Sequence, residues 1–96
     1  MDGGPGFGSQ GSDPCLAISI PSLEQDRALV ALVPHTTRTR RSRFEIQVKV
    51  RFLKAGAFDV QSLVTIPHAK LVRKLGTLAP EQLSPVEAAL RQWLGL

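Results

Sequence analysis

The sequence predicts a mainly β domain closed by a C-terminal helix, arranged as a small, partly closed antiparallel barrel. Three observations predict it. Short apolar runs end at prolines, the segment from Phe44 to Phe52 alternates apolar and polar residues, and the C-terminal residues switch to helical spacing.

Residues 1–12 hold Gly3, Gly4, Gly6, Gly8 and Gly11 with few apolar groups, so they are expected to form a mobile tail ahead of one domain spanning 13–96. Cys15 to Ile20 is apolar and stops at Pro21, as a strand closed by a turn does; Ser22 to Arg27 is a polar connection. Ala28 to Val33 is apolar at every position, which predicts a strand buried on both faces that Pro34 ends. Phe44, Ile46, Val48, Val50 and Phe52 alternate with Glu45, Gln47, Lys49 and Arg51, the pattern of a half-buried antiparallel strand. After the turn Lys54 to Ala57, the run Phe58 to Ile66 reads as a fourth strand ending at Pro67. Lys70 to Leu78 reads as a short connection. Ser84 as N-cap, Pro85 at the first helical position and Glu87 in a capping box then begin a helix whose stripe is Val86, Ala89, Leu90, Trp93 and Leu94, ending near Gly95.

A chain of 96 residues has room for one domain. At this size only about 60–65% of the unfolded surface is buried, so a second subunit covering the sheet edges is expected. Cys15 is the lone cysteine and there are two histidines, too few for a structural zinc site or an internal disulfide, so a reducing, cytoplasmic protein without metal or cofactor is expected. No apolar run reaches the ~20 residues of a membrane span.

The net charge of +4 is unevenly placed. Arg38, Arg40, Arg41, Arg43, Lys49, Arg51 and Lys54 are opposed locally by Glu45 alone, which leaves the rest of the chain slightly acidic. Such a stripe suits an anionic polymer, or is simply a solvated face. Its centre is the loop Pro34 to Arg43, which sets His35, Thr36, Thr37 and four arginines at the end of a buried strand. Guanidinium forks bind phosphodiester oxygens, and RNA carries its own nucleophile in the 2′-hydroxyl, so this loop is a candidate RNA-cleaving or RNA-gripping site. The plainer alternative is a hairpin loop in which Thr36 and Thr37 satisfy turn amides and His35 covers the sheet end. Cys15 as a nucleophile paired with His35 or His68 is outweighed by its place inside an apolar strand; His68 reads as a surface residue, and Trp93 as a core or dimer contact rather than a base-stacking platform.

The residues together resemble the MazF/PemK growth-inhibitor toxins. Lys70 to Leu96 (KLVRKLGTLAPEQLSPVEAALRQWLGL) looks like that family's closing pattern of a basic-Leu pair, a Leu-Gly-x-Leu turn and a helix ending Leu-Gly-Leu. Pro14 to Ser19 (PCLAIS) is similar to its second strand, and Ala31 to Thr37 (ALVPHTT) to its strand ending in Pro-x-Thr. The resemblance implies an SH3-like or CcdB-like barrel, a homodimer, an acidic antitoxin partner, and metal-independent endoribonuclease activity on single-stranded mRNA that inhibits growth. By the same resemblance Thr36 is the catalytic threonine at the scissile phosphate; the reading of the loop itself sets His35 beside it as a catalytic candidate and Thr37, Arg38, Arg40, Arg41 and Arg43 as RNA-binding residues. The chain departs from the family at Asp13-Pro14, where Arg-Pro is usual, at Gln61 to Thr65, where only Thr65 fits, and in lacking a recognisable first strand. A catalytically inactive module that binds antitoxin or RNA, and a nonspecific RNA binder, are the competing readings.

Overall fold

In the computed structural model, which describes residues 6–10, 13–51, 53–71 and 73–96, the strands are β1 (Gly6–Gln10), β2 (Asp13–Ala17), β3 (Leu29–Thr36), β4 (Glu45–Ile46), β5 (Ala57–Asp59), β6 (Val64–Pro67) and β7 (Arg73–Thr77). Helix α1 (Pro80–Leu94) follows. The antiparallel sheet runs β4-β5-β3-β2-β1-β7, with β6 also paired to β3. This is the mainly β architecture with one C-terminal helix that the sequence predicts.

Strand β3 pairs with three neighbours. Leu32 to Pro34 face β2 in the register Cys15↔Pro34, while the opposite edge pairs first with β6 (Leu29↔Pro67 to Leu32↔Val64) and then with β5 (His35↔Phe58, Thr36↔Ala57). The continuously apolar run is buried on both faces as expected: Val33 points into the larger core, and Val30 and Leu32 into a smaller cluster with Cys15 and Ile66. Pro34 does not end the strand. It falls between the last β6 pair and the first β5 pair, where the ladder is already interrupted, so its missing N–H costs no strand pairing.

Other expectations are corrected as well. The fourth strand is divided, because Asp59 turns the chain through a 3₁₀ segment at Val60–Ser62: its Oδ1 accepts the Gln61 amide at 3.2 Å and its Oδ2 accepts the Ser62 hydroxyl at 2.7 Å. The alternating strand from Phe44 shrinks to the two residues of β4, although Phe44 and Val50 are buried and Ile46 and Val48 pack on the same core. Beyond Ile46 the partner is a helix, since Gln82 Nε2 donates to the Lys49 carbonyl at 2.8 Å; Phe52 lies outside the described residues. The connection after His68 contains β7. The glycine-rich segment is no unpaired tail over Gly6–Gln10, and the first strand is not missing: β1 lies between β2 (Phe7↔Leu16) and β7 (Gly6↔Thr77), where backbone bonding on both edges offsets its few side chains. Residues 1–5 and 11–12 of the expected tail lie outside the described residues.

Helix α1 begins five residues earlier than Ser84-Pro85 suggests. Pro80 takes the first helical position, and Gln82 Oε1 accepts the Ala79 amide at 2.8 Å; Pro85 sits exposed in the second turn, unable to donate to the Glu81 carbonyl. Val86, Ala89 and Leu90 are buried on the sheet, and Gly95 ends the helix in the left-handed conformation (φ 72°). Trp93 and Leu94 are not core: they are 43% and 49% exposed, with the Trp93 ring 5.3 Å from the Phe44 ring. No helix among the described residues is long and apolar enough to cross a membrane.

Leu16, fully buried between β3 and the helix-facing core, tests this arrangement. Leu16→Ala is expected to lower unfolding free energy by about 2–5 kcal/mol, a large share of what a small domain holds, and a urea midpoint shifted by less than about 1 kcal/mol equivalent would contradict its placement.

Candidate functional site

The end of β3 and the loop after it hold the predicted site residues. His35 and Thr36 are the last two residues of the strand, fixed by their pairing with Phe58 and Ala57. The imidazole packs edge-on against Phe58 (5.1 Å between centroids, 73°). A close backbone approach completes the seat: a Cβ on Gly56 would overlap the Thr36 carbonyl oxygen and crowd His35 Cε1, so the turn before β5 requires glycine there.

Thr36 Oγ1 accepts the Arg38 amide at 3.0 Å, which turns the chain out of the sheet. Thr37, Arg38, Arg40 and Arg41 are exposed. Arg41 adopts φ 57°, a left-handed conformation that costs a non-glycine residue on the order of 1 kcal/mol. On either side of it the amides of Arg40 and Ser42 donate to one oxygen, Oε1 of Glu45, at 2.7 and 3.0 Å. Ser42 Oγ accepts the Phe44 amide at 3.1 Å, and the Arg43 guanidinium lies 4.6 Å from the centre of the Phe44 ring.

The electrostatic consequence concerns the arginines. The lone carboxylate within the basic stripe is taken up by backbone N–H groups rather than by the guanidiniums around it. Among the described residues, Arg38, Arg40 and Arg41 form no ion pair. These guanidiniums are therefore available to an external anion, while the amides of Arg38, Arg40, Ser42 and Phe44 are already used internally. An anion at this loop is held by side chains rather than by a backbone cradle.

His35 Nε2 is buried without a hydrogen-bond partner among the described residues, and burial lowers the imidazole pKa below its ordinary 6.5. The ring is therefore neutral at pH 7, able to accept a proton and unable to act as a cationic clamp. Sequence reasoning missed Glu45 and Gly56. A signal for Glu45 exists in the spacing Ser42-Arg43-Phe44-Glu45, a Ser-x-x-Glu pattern that marks reciprocal backbone capping. Cys15 is buried, His68 is exposed in a 3₁₀ turn remote in sequence from the loop, and no group of three His, Cys, Asp or Glu among the described residues could hold a metal ion.

Because the folded-state pKa of His35 lies below the unfolded one, its neutral form contributes stability that is intact above about pH 6.5 and is lost as pH falls toward the lowered value. The melting temperature of the unsubstituted protein is expected to fall more than that of His35→Gln between about pH 7 and pH 5. Parallel curves for the two proteins would show that burial does not perturb this histidine.

The sequence from residue 1 to 94 matches the family described as PemK-like, MazF-like toxin of type II toxin–antitoxin system. An endoribonuclease solved with its cognate antitoxin from a mycobacterial species superposes with a TM-score of 0.77 at 22% identity, covering 100% of this chain and 95% of the other. The Mycobacterium tuberculosis toxin MazF-mt6 gives 0.77 at 22% identity and 97% coverage of both chains. A MazE-MazF structure from Deinococcus radiodurans gives 0.79 at 19% identity, covering 99% and 96%. No curated protein matches the sequence. At these identities the structural likeness establishes a shared fold, and the family match over nearly the whole length establishes descent: the chain belongs to the PemK-like, MazF-like toxins of type II toxin–antitoxin systems.

Proposed function

We propose that the chain is a metal-independent endoribonuclease that cleaves single-stranded mRNA and so inhibits growth. The observation that carries this reading is the segment from His35 to Arg43, in which a threonine hydroxyl and a neutral imidazole adjoin a loop of unpaired guanidiniums. Thr36 would bind the scissile phosphate, and His35 would accept the 2′-hydroxyl proton once substrate or a water reaches its unpartnered Nε2. The arginines would hold the flanking phosphates and the charge that builds on the transferring phosphorus oxygens.

An acidic antitoxin is the natural protein partner, since an acidic segment can lie on the same basic surface as RNA and occlude it. The antitoxin complexes among the structural relatives support that partner. Homodimer formation is supported by an open sheet whose terminal strands are β4 and β7 and by the exposed Trp93, Leu94 and Leu96 at the helix end.

Purified protein is expected to cut a long single-stranded RNA in the presence of EDTA. Thr36→Ala should reduce the rate by about a hundredfold or more, with Thr36→Ser retaining most of it because the hydroxyl still binds phosphate and still caps the Arg38 amide. Equal cleavage by Thr36→Ala and the unsubstituted protein would overturn the assignment.

One observation favours a second reading, a toxin-like module that binds antitoxin or RNA without cleaving it. By register, Asp13 lies two positions beyond the Cys15↔Pro34 pair, toward the Thr36 end of β3, where the family resemblance places an arginine. An acid there opposes a phosphodiester. On this reading the unsubstituted protein binds RNA without cutting it, and Asp13→Arg creates EDTA-resistant cleavage; activity lost rather than gained in Asp13→Arg would exclude it.

A further inference from the structure

Glu45 is the one acid among seven bases between Arg38 and Lys54, and simple charge counting makes it a defect in a surface meant for a polyanion. Its geometry says otherwise. One carboxylate oxygen accepts two amides, Arg40 at 2.7 Å and Ser42 at 3.0 Å, which flank the single left-handed non-glycine residue among the described residues, Arg41. Two N–H groups converging from a turn of this kind form a small anion-binding concavity, and here the protein's own carboxylate fills it. The carboxylate is itself fixed, because Glu45 opens β4 against Asp59 and its amide donates to the Ser42 carbonyl at 3.1 Å. The loop is thus bound to the sheet at both ends, through Thr36 at its start and Glu45 at its close.

We propose that Glu45 is the positioning residue of the basic loop, holding the arc that carries Arg38, Arg40, Arg41 and Arg43 so that their guanidiniums meet successive phosphates of a single-stranded RNA. The acid strengthens the grip it would weaken as a point charge. A flexible loop bearing four arginines loses conformational freedom each time it binds a phosphate backbone, and a loop already ordered does not. This inference rests on the reading of the loop as the RNA surface and adds the group that shapes it.

The two views of Glu45 predict opposite signs. As a charge, its removal tightens RNA binding; as a positioning group, its removal loosens it. The test is fluorescence anisotropy of a labelled, uncleavable 2′-deoxy-substituted single-stranded oligonucleotide titrated with the full chain at several salt concentrations. Glu45→Ala is expected to bind about five- to tenfold more weakly, with a salt dependence shallower by about one to two phosphates. Glu45→Asp, which keeps the charge but shortens the reach, should fall toward the alanine variant. Glu45→Gln, whose amide oxygen can accept the same two N–H groups, should bind within about twofold of the unsubstituted protein or tighter.

Amide hydrogen exchange supplies the readout that overall destabilisation would not mimic. The Arg40 and Ser42 amides should exchange faster in Glu45→Ala and Glu45→Asp while core amides of β3 stay protected, and both should be slow again in Glu45→Gln. Glu45→Ala binding as tightly as, or more tightly than, the unsubstituted protein overturns the proposal, as does weak binding by Glu45→Gln with its loop amides still protected. The double substitution Arg40→Ala/Arg41→Ala separates the two levels: unchanged affinity there removes the loop from the RNA surface, and the proposal with it, whereas weakened affinity beside an indifferent Glu45→Ala removes only the proposal.

Discussion

The architecture depends on one strand that pairs along both edges and is buried on both faces. β3 takes β2 on one side and β6 followed by β5 on the other, and its side chains feed both apolar clusters. A strand held in this way has little freedom of its own, so whatever is attached to its end inherits a fixed position. His35 and Thr36 are that end. The chemistry in this protein is placed on the rigid terminus of the best-supported element, and the variable, charged part follows as a loop.

The loop is built by the opposite economy. It buries little, and its order comes from a few short-range polar contacts: a threonine hydroxyl, a serine hydroxyl and one carboxylate, each accepting backbone amides. Using oxygen side chains to satisfy N–H groups leaves the guanidiniums outside the network. Were the same carboxylate paired with arginines, the stripe would have spent its charge on itself. The division between backbone donors bound inside and side-chain donors kept outside turns a run of arginines into a surface.

Fold class was legible because burial leaves periodicity. The unbroken apolar run of β3, the alternating faces from Phe44 to Val50 and the stripe Val86, Ala89, Leu90 all reached the core that their spacing implied. What remained hidden was set by polar side chains acting over a few residues. Asp59 divides a run that looks continuous, Gln82 draws the helix start back to Pro80 and gives Lys49 a helical partner, and the pairing of β1 rests on backbone bonds that glycines do not advertise. In the candidate site, the strand end and the arginines could be read from residue type and order. Glu45 left only the short-range Ser-x-x-Glu spacing and Gly56 no signal, because their roles are defined by which atoms approach the loop rather than by periodicity.

The chain contains one tryptophan and no tyrosine. That indole stands half in solvent on the last helical turn, against the same phenylalanine whose ring lies beneath the Arg43 guanidinium. Indole fluorescence in this chain therefore originates at a single residue, one aromatic ring away from the basic loop, and the molecule carries its own optical probe of whatever comes to rest there.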